Sequence, residues 1–417
     1  MAEFKGGRTK FNQIVSSGVI TPLFLGIGFV ALFYFSSGLF ADIFNMPGLS
    51  GLLKILSPVF PFALVGSALL GLLNGLREMK KYAAATIIQS VLMVIITVAL
   101  IYFGFGVAGA VIGVVLSSVG SCLFLIFVSG KYFEITFSEY IPTTKKILRF
   151  GVQMFGAGAV NLITNQTDII MIGYFMTAAD IGYYTVAVSL AGFFLLIPQA
   201  IQRITYPATS EYWSNNNHAA LQNMIDKSMK YSACILLPLG LGVGFFAKDI
   251  VILLFGKDFV YAILPLYVLL IARVIRGGTV LPIGGGFAAV GKPDLILKIE
   301  TISAATNLIL NILFIPVFGI LGAAIATTIS LLLGCFISLY YIIKILSVKI
   351  DSWFYAKISG VGLSAVIFFW MDIKLINLYL LGGAILCSCM VLIFMFILTK
   401  EDRDMFKSLI YSLIHWR

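Results

Sequence analysis

Two sets of polar residues recur at helical spacing inside otherwise apolar stretches of this 417-residue chain. Asn161, Asn165 and Asp168 stand at i, i+4 and i+7, so on a helix they share one face. Glu300, Ser303, Asn307 and Asn311 repeat the pattern further along. An ionisable group within a bilayer is costly enough to count as a functional candidate. A carboxylate among amides and hydroxyls has two uses open to it: coupling to a proton or small cation, or a hydrogen-bonded seam between helices. Arg273 and Arg276, three residues apart, bring a different chemistry, because guanidinium forks suit bidentate contact with phosphate oxygens. The competing use is an ion pair with Asp168 or Glu300 that only fixes packing. Arg203 and Asn161 complete the substrate-binding candidates, although Arg203 also reads as a topology charge. Lys298 reads as snorkelling to the interface, and Lys54 is ambiguous.

Several chemistries are excluded by count. The histidines, His218 and His415, fall in polar segments outside the apolar runs, so no His-dependent centre is expected inside the membrane. Cys122, Cys234, Cys335, Cys387 and Cys389 lie within apolar runs without CxxC spacing and read as small hydrophobes, not metal ligands. A GxxxxGK[ST] loop is missing, which disfavours an ATP-driven pump. A membrane glycosyl- or acyltransferase would need clustered His, Asp or metal-ligand residues, so no enzymatic activity and no cofactor beyond a coupling ion is expected.

The elements that position these residues are helices in lipid. Hydrophobic residues make up 60% of the chain and charged ones 11%, with a mean hydropathy of +1.05. A hydrocarbon core of roughly 30 Å takes about 20 apolar residues per crossing, and helices satisfy their own backbone there. Hydropathy, glycine, proline and charge predict twelve spans: 14–38, 49–74, 82–104, 106–129, 147–176, 181–202, 229–247, 262–286, 295–317, 319–346, 353–370 and 378–399. Lys and Arg gather in alternate loops, which predicts a multi-pass protein of the cytoplasmic membrane with both termini in the cytoplasm. The net charge of +10 therefore reads as topology, not nucleic-acid binding. The start of the chain does not resemble a secretory signal.

An internal repeat organises the spans. Phe105-Gly106-Val107-Ala108-Gly109-Ala110-Val111-Ile112 recurs 213 residues later as Phe318-Gly319-Ile320-Leu321-Gly322-Ala323-Ala324-Ile325, and Ser117 meets Ser330 and Cys122 meets Cys335 in that register. Pro22 to Gly28 matches Pro238 to Gly244 at an offset of 216. The copies run parallel, yet the first holds four spans and the second six. The expected organisation is a four-helix first lobe over 1–130, a six-helix second lobe over 131–350, and two further helices with a basic tail over 351–417. Two helices that pair with 147–176 and 181–202 are expected to precede residue 1, unless that pair was inserted into the second half.

The stretches Asn165-Gln166-Thr167-Asp168-Ile169-Ile170-Met171-Ile172-Gly173-Tyr174-Phe175, Ala179-Asp180-Ile181-Gly182-Tyr183-Tyr184 and Pro198 through Pro207, with the repeat itself, carry a likeness to known proteins. The chain resembles the multidrug/oligosaccharidyl-lipid/polysaccharide exporter superfamily, and within it the polysaccharide (O-antigen type) flippases. The resemblance implies two lobes facing across a central cavity, alternating access, and movement of polyprenyl diphosphate sugars for polysaccharide or cell-envelope biosynthesis. It implies membrane lipids and lipid-linked oligosaccharide as partners, with a glycan polymerase or glycosyltransferases beside them. The lipid II flippases of the superfamily have a sodium site, and the matching positions here are Asp168, Asn307, Asn311 and Thr327, with Glu300 grouped among the ion-coupling candidates. Asn311 departs from the acidic residue common at its position. A cation-coupled multidrug or metabolite antiporter of the same fold, and a remnant that no longer transports, are the other readings.

Overall fold

The computed structural model describes residues 7–76 and 78–371 together with Gly383 and Ser388, and for 149–150, 152–165 and 368–371 the backbone only. The expected span 378–399 and the side chain of Asn161 lie outside the described residues. Every regular element among them is helical. Among the described residues eight stretches are long and apolar enough to cross a membrane, and a bent helix pair makes a ninth. Their outward side chains are large and apolar, as with Phe35 (84% exposed), Phe127 (84%) and Leu253 (85%). A water-facing surface would not carry them, and a lipid-facing one does. The chain is a multi-pass membrane protein.

Two compact units divide the chain, Met1–Ala159 and Val160–Arg417. In the first, α1 (Gly7–Ile43) is followed by α2 (Pro47–Leu56) and α3 (Val59–Gly75). The expected span 49–74 is thus two helices, bent by 45° where Ser57 and Pro58 interrupt it. A Cβ on Gly26 of α1 would overlap Pro61, so α1 and α3 touch at backbone distance. Helices α4 (Met79–Tyr102) and α5 (Gly106–Ser129) form a tight hairpin. The segment after it lies along α1, where Glu134 N–H donates to Asn12 Oδ1 and Thr136 N–H to Ser16 Oγ.

Helix α6 (Tyr140–Phe175) begins in the first unit and ends in the second. It is followed by α7 (Ala178–Gly192), a 3-10 turn at Phe193–Leu195, and α8 (Leu196–Ser214). The α6–α7 turn is set by a capping box in which the Thr177 side chain accepts from Asp180 N–H while Asp180 accepts from Thr177 N–H. Next come α9 (His218–Phe245), α10 (Ala247–Phe255) and α11 (Ile263–Gly277). The expected span 262–286 does not run through. It stops at Gly277 and continues as a broken segment with a 3-10 turn at Leu281–Ile283 and the short α12 (Gly286–Ala289). Gly278, Pro282 and the Gly284-Gly285-Gly286 run leave too little helix propensity to bridge the gap.

Helices α13 (Pro293–Phe318) and α14 (Ile320–Leu346) form the second hairpin. The repeat is visible in its backbone: Gly106 and Gly319, 213 residues apart, both take positive φ (52° and 60°), which glycine adopts without strain. A Cβ on Gly109 would crowd Leu100 and Phe105, and one on Gly322 would overlap the Phe314 carbonyl. Both hairpins therefore close through glycine at matching places. Ser117 and Ser330 each donate to the carbonyl three residues back, at 3.0 and 2.9 Å.

The last described helix, α15 (Ser352–Met371), is pinned to α9. The Gln222 amide forms two bonds to the Lys349 backbone, at 2.8 and 2.7 Å. Lys230 bridges Asp226 and Asp351, each at 2.9 Å, and Asp351 caps α15 by accepting from Phe354 N–H. The hydrogen bond from Lys230 holds the Asp351 carboxyl below its ordinary value. A depressed carboxyl stabilises the fold above its unfolded pKa, and that contribution is lost as pH falls through the folded one. Asp351→Asn, or acidification below about pH 4, is expected to speed amide exchange at the start of α15 and leave the α13–α14 hairpin unchanged, read by hydrogen-exchange mass spectrometry in detergent.

Candidate functional site

Four helices of the second unit carry polar side chains to one place. Asp168 of α6 is 7% exposed and accepts three hydrogen bonds. Tyr184 of α7 donates to Oδ2 at 2.6 Å, Thr327 of α14 donates to the same oxygen, and Asn311 of α13 donates to Oδ1 at 2.7 Å. Asn311 also donates to Asn307 Oδ1 at 3.0 Å, and Asn307 donates to Thr327 Oγ1 at 3.1 Å. Each donor is present because the local sequence turns it inward. Asn307 and Asn311 are one helical turn apart, and the Thr177–Asp180 capping box sets α7 so that Tyr184 returns beside Asp168.

The donors are matched to the carboxylate, and one acceptor is left over. Asn311 Oδ1 is buried without a partner. An orphan acceptor in such a place costs about 1–3 kcal/mol unless something donates to it or a cation reaches it. Carboxylate, amide and hydroxyl oxygens are the hard ligands that small cations prefer, so the set Asp168, Asn307, Asn311 and Thr327 is chemically suited to one. Among the described residues, His, Cys, Asp and Glu form no cluster suited to a metal ion, so such a site rests on one carboxylate and neutral oxygens.

A cavity of about 160 Å³ opens beside this group, and its walls include Asp168, Tyr184, Asn307 and Thr327 together with Arg273, Arg276, Glu300 and Ser303. The two arginines differ in their partners. Arg276 Nη2 donates to Glu300 Oε1 at 2.9 Å, whereas Arg273 Nε is buried with no partner. Glu300 therefore pairs with Arg276, and it does not bond the Asp168 group. Arg203 lies elsewhere, exposed on α8 and lining a separate recess with Gln199, Gln202 and Tyr206.

Sequence reasoning brought Asp168, Asn307, Asn311 and Thr327 forward together, and they meet in the structure. It singled out no role for Tyr184, which is fully buried with its hydroxyl on Asp168. The available signal was that a tyrosine buried within a span needs a partner for its hydroxyl.

The folded chain is a polytopic helical membrane protein with a polar cavity inside its second unit. It belongs to the polysaccharide biosynthesis protein family, whose model matches residues 12–264. Among curated relatives, it is 29% identical over 200 residues to the probable low-salt glycan biosynthesis flippase Agl15 of Haloferax volcanii, covering 48% of this chain and 42% of that protein. It is 27% identical over 271 residues to the probable flippase AglR of the same organism, covering 63% and 55%. The chain thus spans about half the length of the curated relatives it matches. Among solved structures, the lipid II flippase MurJ in an inward closed conformation superposes with a TM-score of 0.76 at 18% identity, covering 94% of this chain and 85% of that one. These likenesses establish the fold.

If the Asp168 group is a structural seam, Asp168→Ala leaves Tyr184, Thr327 and Asn311 without an acceptor and is expected to destabilise by on the order of 3 kcal/mol. Tyr184→Phe, which removes one donor, is expected to cost roughly 1–2 kcal/mol. Thermal unfolding midpoints of the purified variants rank the two.

Proposed function

We propose that this chain carries lipid-linked oligosaccharides, sugars on a polyprenyl diphosphate, across the cytoplasmic membrane by alternating access. The observation that carries this reading is the cavity within a lipid-facing bundle, walled by Arg273 and Arg276, of which only Arg276 is paired with a carboxylate. Guanidinium forks in a place shielded from water suit phosphate oxygens. A cavity for cationic drugs would favour unpaired carboxylates instead. The names of the relatives, a probable low-salt glycan biosynthesis flippase and a probable flippase, support the same substrate class. Such a protein works between the glycosyltransferases that build the substrate and a polymerase that consumes it, with membrane lipids as its surroundings. The distribution of Lys and Arg supports cytoplasmic termini.

Asp168, Asn307, Asn311 and Thr327 would hold the coupling ion, sodium or a proton, and the ion would supply the positive charge that Asp168 lacks. The orphan Asn311 Oδ1 supports this use, and the saturation of Asp168 by three donors supports a seam when no ion is bound.

Two measurements test the reading. Proteoliposomes that contain the protein are expected to translocate a polyprenyl diphosphate carrying a fluorescent sugar, detected by dithionite quenching, and Arg273→Gln is expected to lower the rate at least tenfold. Rates no higher than in protein-free vesicles would sink the proposal. Replacing choline chloride by sodium chloride is expected to raise the thermal midpoint of the wild type and not of Asp168→Asn, since an ion that binds only the folded state stabilises it by RT ln(1 + [L]/Kd). No sodium effect in the wild type would leave the proton or the seam.

A further inference from the structure

Helix α8 presents three distinct faces, and one of them has no use in the scheme so far. Pro198, Thr205 and Thr209 are buried, with Thr205 donating to the Pro282 carbonyl at 2.6 Å. A second face carries Leu196 and Ile204, 61% and 73% exposed, and is apolar enough to meet lipid. On the third, Gln199, Gln202, Arg203 and Tyr206 fall at i, i+3, i+4 and i+7 and line a recess of about 500 Å³. Neither glutamine amide bonds another side chain among the described residues.

The recess is shaped from behind by the broken segment after α11. A Cβ on Gly284 would come within 2.9 Å of the Gln202 amide nitrogen, and one on Gly285 would overlap the Tyr206 ring. The two glycines let the segment lie flat against α8, so that the glutamine and the tyrosine stand on backbone and project outward. This gives the glycine run a role beyond interrupting a helix.

We infer that the α8 recess is a subsite for the glycan of a lipid-linked oligosaccharide, separate from the cavity of Arg273 and Arg276. The inference rests on the flippase reading and deepens it. Side-chain amides each offer two donors and an acceptor, which match the paired hydroxyls of a sugar ring. The tyrosine supplies a flat apolar face for the C–H side of the ring and a hydroxyl for its edge. Arg203 at the rim meets the negative charge of a diphosphate or an acidic sugar. The lipid-facing side chains Leu196 and Ile204 are on the adjoining face of the same helix, so an amphiphile can place its head in the recess while its tail stays in hydrocarbon. Gln199, Gln202 and Tyr206 thereby contribute selectivity for the sugar, and Arg203 meets the diphosphate common to every such lipid.

The test compares three probes on the purified protein in nanodiscs: lipid-linked oligosaccharide extracted from cells that make this protein, the same polyprenyl diphosphate without sugar, and the free oligosaccharide. The wild type is expected to bind the glycosylated lipid at least tenfold more tightly than the sugar-free one, and the free oligosaccharide more weakly than either. In Gln199→Ala/Gln202→Ala/Tyr206→Ala the ratio of the two lipid affinities is expected to fall toward one. Gly285→Ala, which displaces the Tyr206 ring without removing a polar group, is expected to lower the ratio several-fold in the same direction. A wild-type ratio near one, or variants that keep the wild-type ratio, would overturn the subsite while leaving the flippase reading standing. A wild type that binds neither lipid overturns both. Size-exclusion profiles and thermal midpoints of the variants identify any that have not folded.

Discussion

A carboxylate inside a helix bundle whose outer surface is lipid has to be neutralised or fully hydrogen-bonded, since the cost of leaving it bare exceeds what packing returns. Asp168 meets that constraint by taking one donor from each of α7, α13 and α14. The three helices are thereby tied to α6 at one depth, and the tie has direction, because each donor must arrive with its proton pointed at a particular oxygen. The hydrophobic core around it cannot supply such direction. Ile172, Ala187, Leu266, Leu269 and Ala324 share a buried cluster with Tyr184 and fill space, but apolar helices slide against one another at little cost in lipid.

The repeat separates scaffold from chemistry. Both hairpins, α4–α5 and α13–α14, turn on a glycine with positive φ and close on a second glycine three residues later. At the repeat offset of 213, Asn307, Asn311 and Thr327 correspond to Val94, Val98 and Val114, and Glu300 corresponds to Ile87. The same backbone therefore carries a polar cluster in one copy and an apolar strip in the other. Glycine spacing determines how close the helices come, and polar substitution on one copy determines what the gap between them can hold.

Most of this was legible in the sequence because lipid makes the code simple. Apolar runs of the right length and the spacing of Asn307 and Asn311 needed no knowledge of contacts. Hydropathy by itself runs through breaks that only the residue types mark: Pro58 stands where one span bends, and Gly277-Gly278, Pro282 and Gly284-Gly285-Gly286 stand where another divides. Tyr184 was hidden for a related reason. A tyrosine counts as half apolar in any window, and only its position opposite Asp168, set by the capping box at Thr177, shows that its hydroxyl is used. The pairing of Arg276 with Glu300 crosses two helices 24 residues apart in sequence, a partnership that spacing along either helix does not encode.

On the proposed function, charge balance would account for the groups assigned to phosphate and those assigned to a cation sharing one cavity. Its walls hold two carboxylates, Asp168 and Glu300, and two guanidiniums, Arg273 and Arg276. With the Arg276–Glu300 pair closed, Asp168 and Arg273 remain to offset each other across the cavity. A diphosphate at Arg273, as the proposed function has it, would consume that offset and leave Asp168 in need of another positive charge. In a low-dielectric enclosure the imbalance is expensive, since charge interactions there are only weakly screened. On that reading, uptake of the anion and of a cation at Asp168 would favour each other by the same free energy, whichever comes first. The three neutral donors on Asp168 would make such an exchange reversible: they hold the carboxylate without competing as strongly as a permanent cation would.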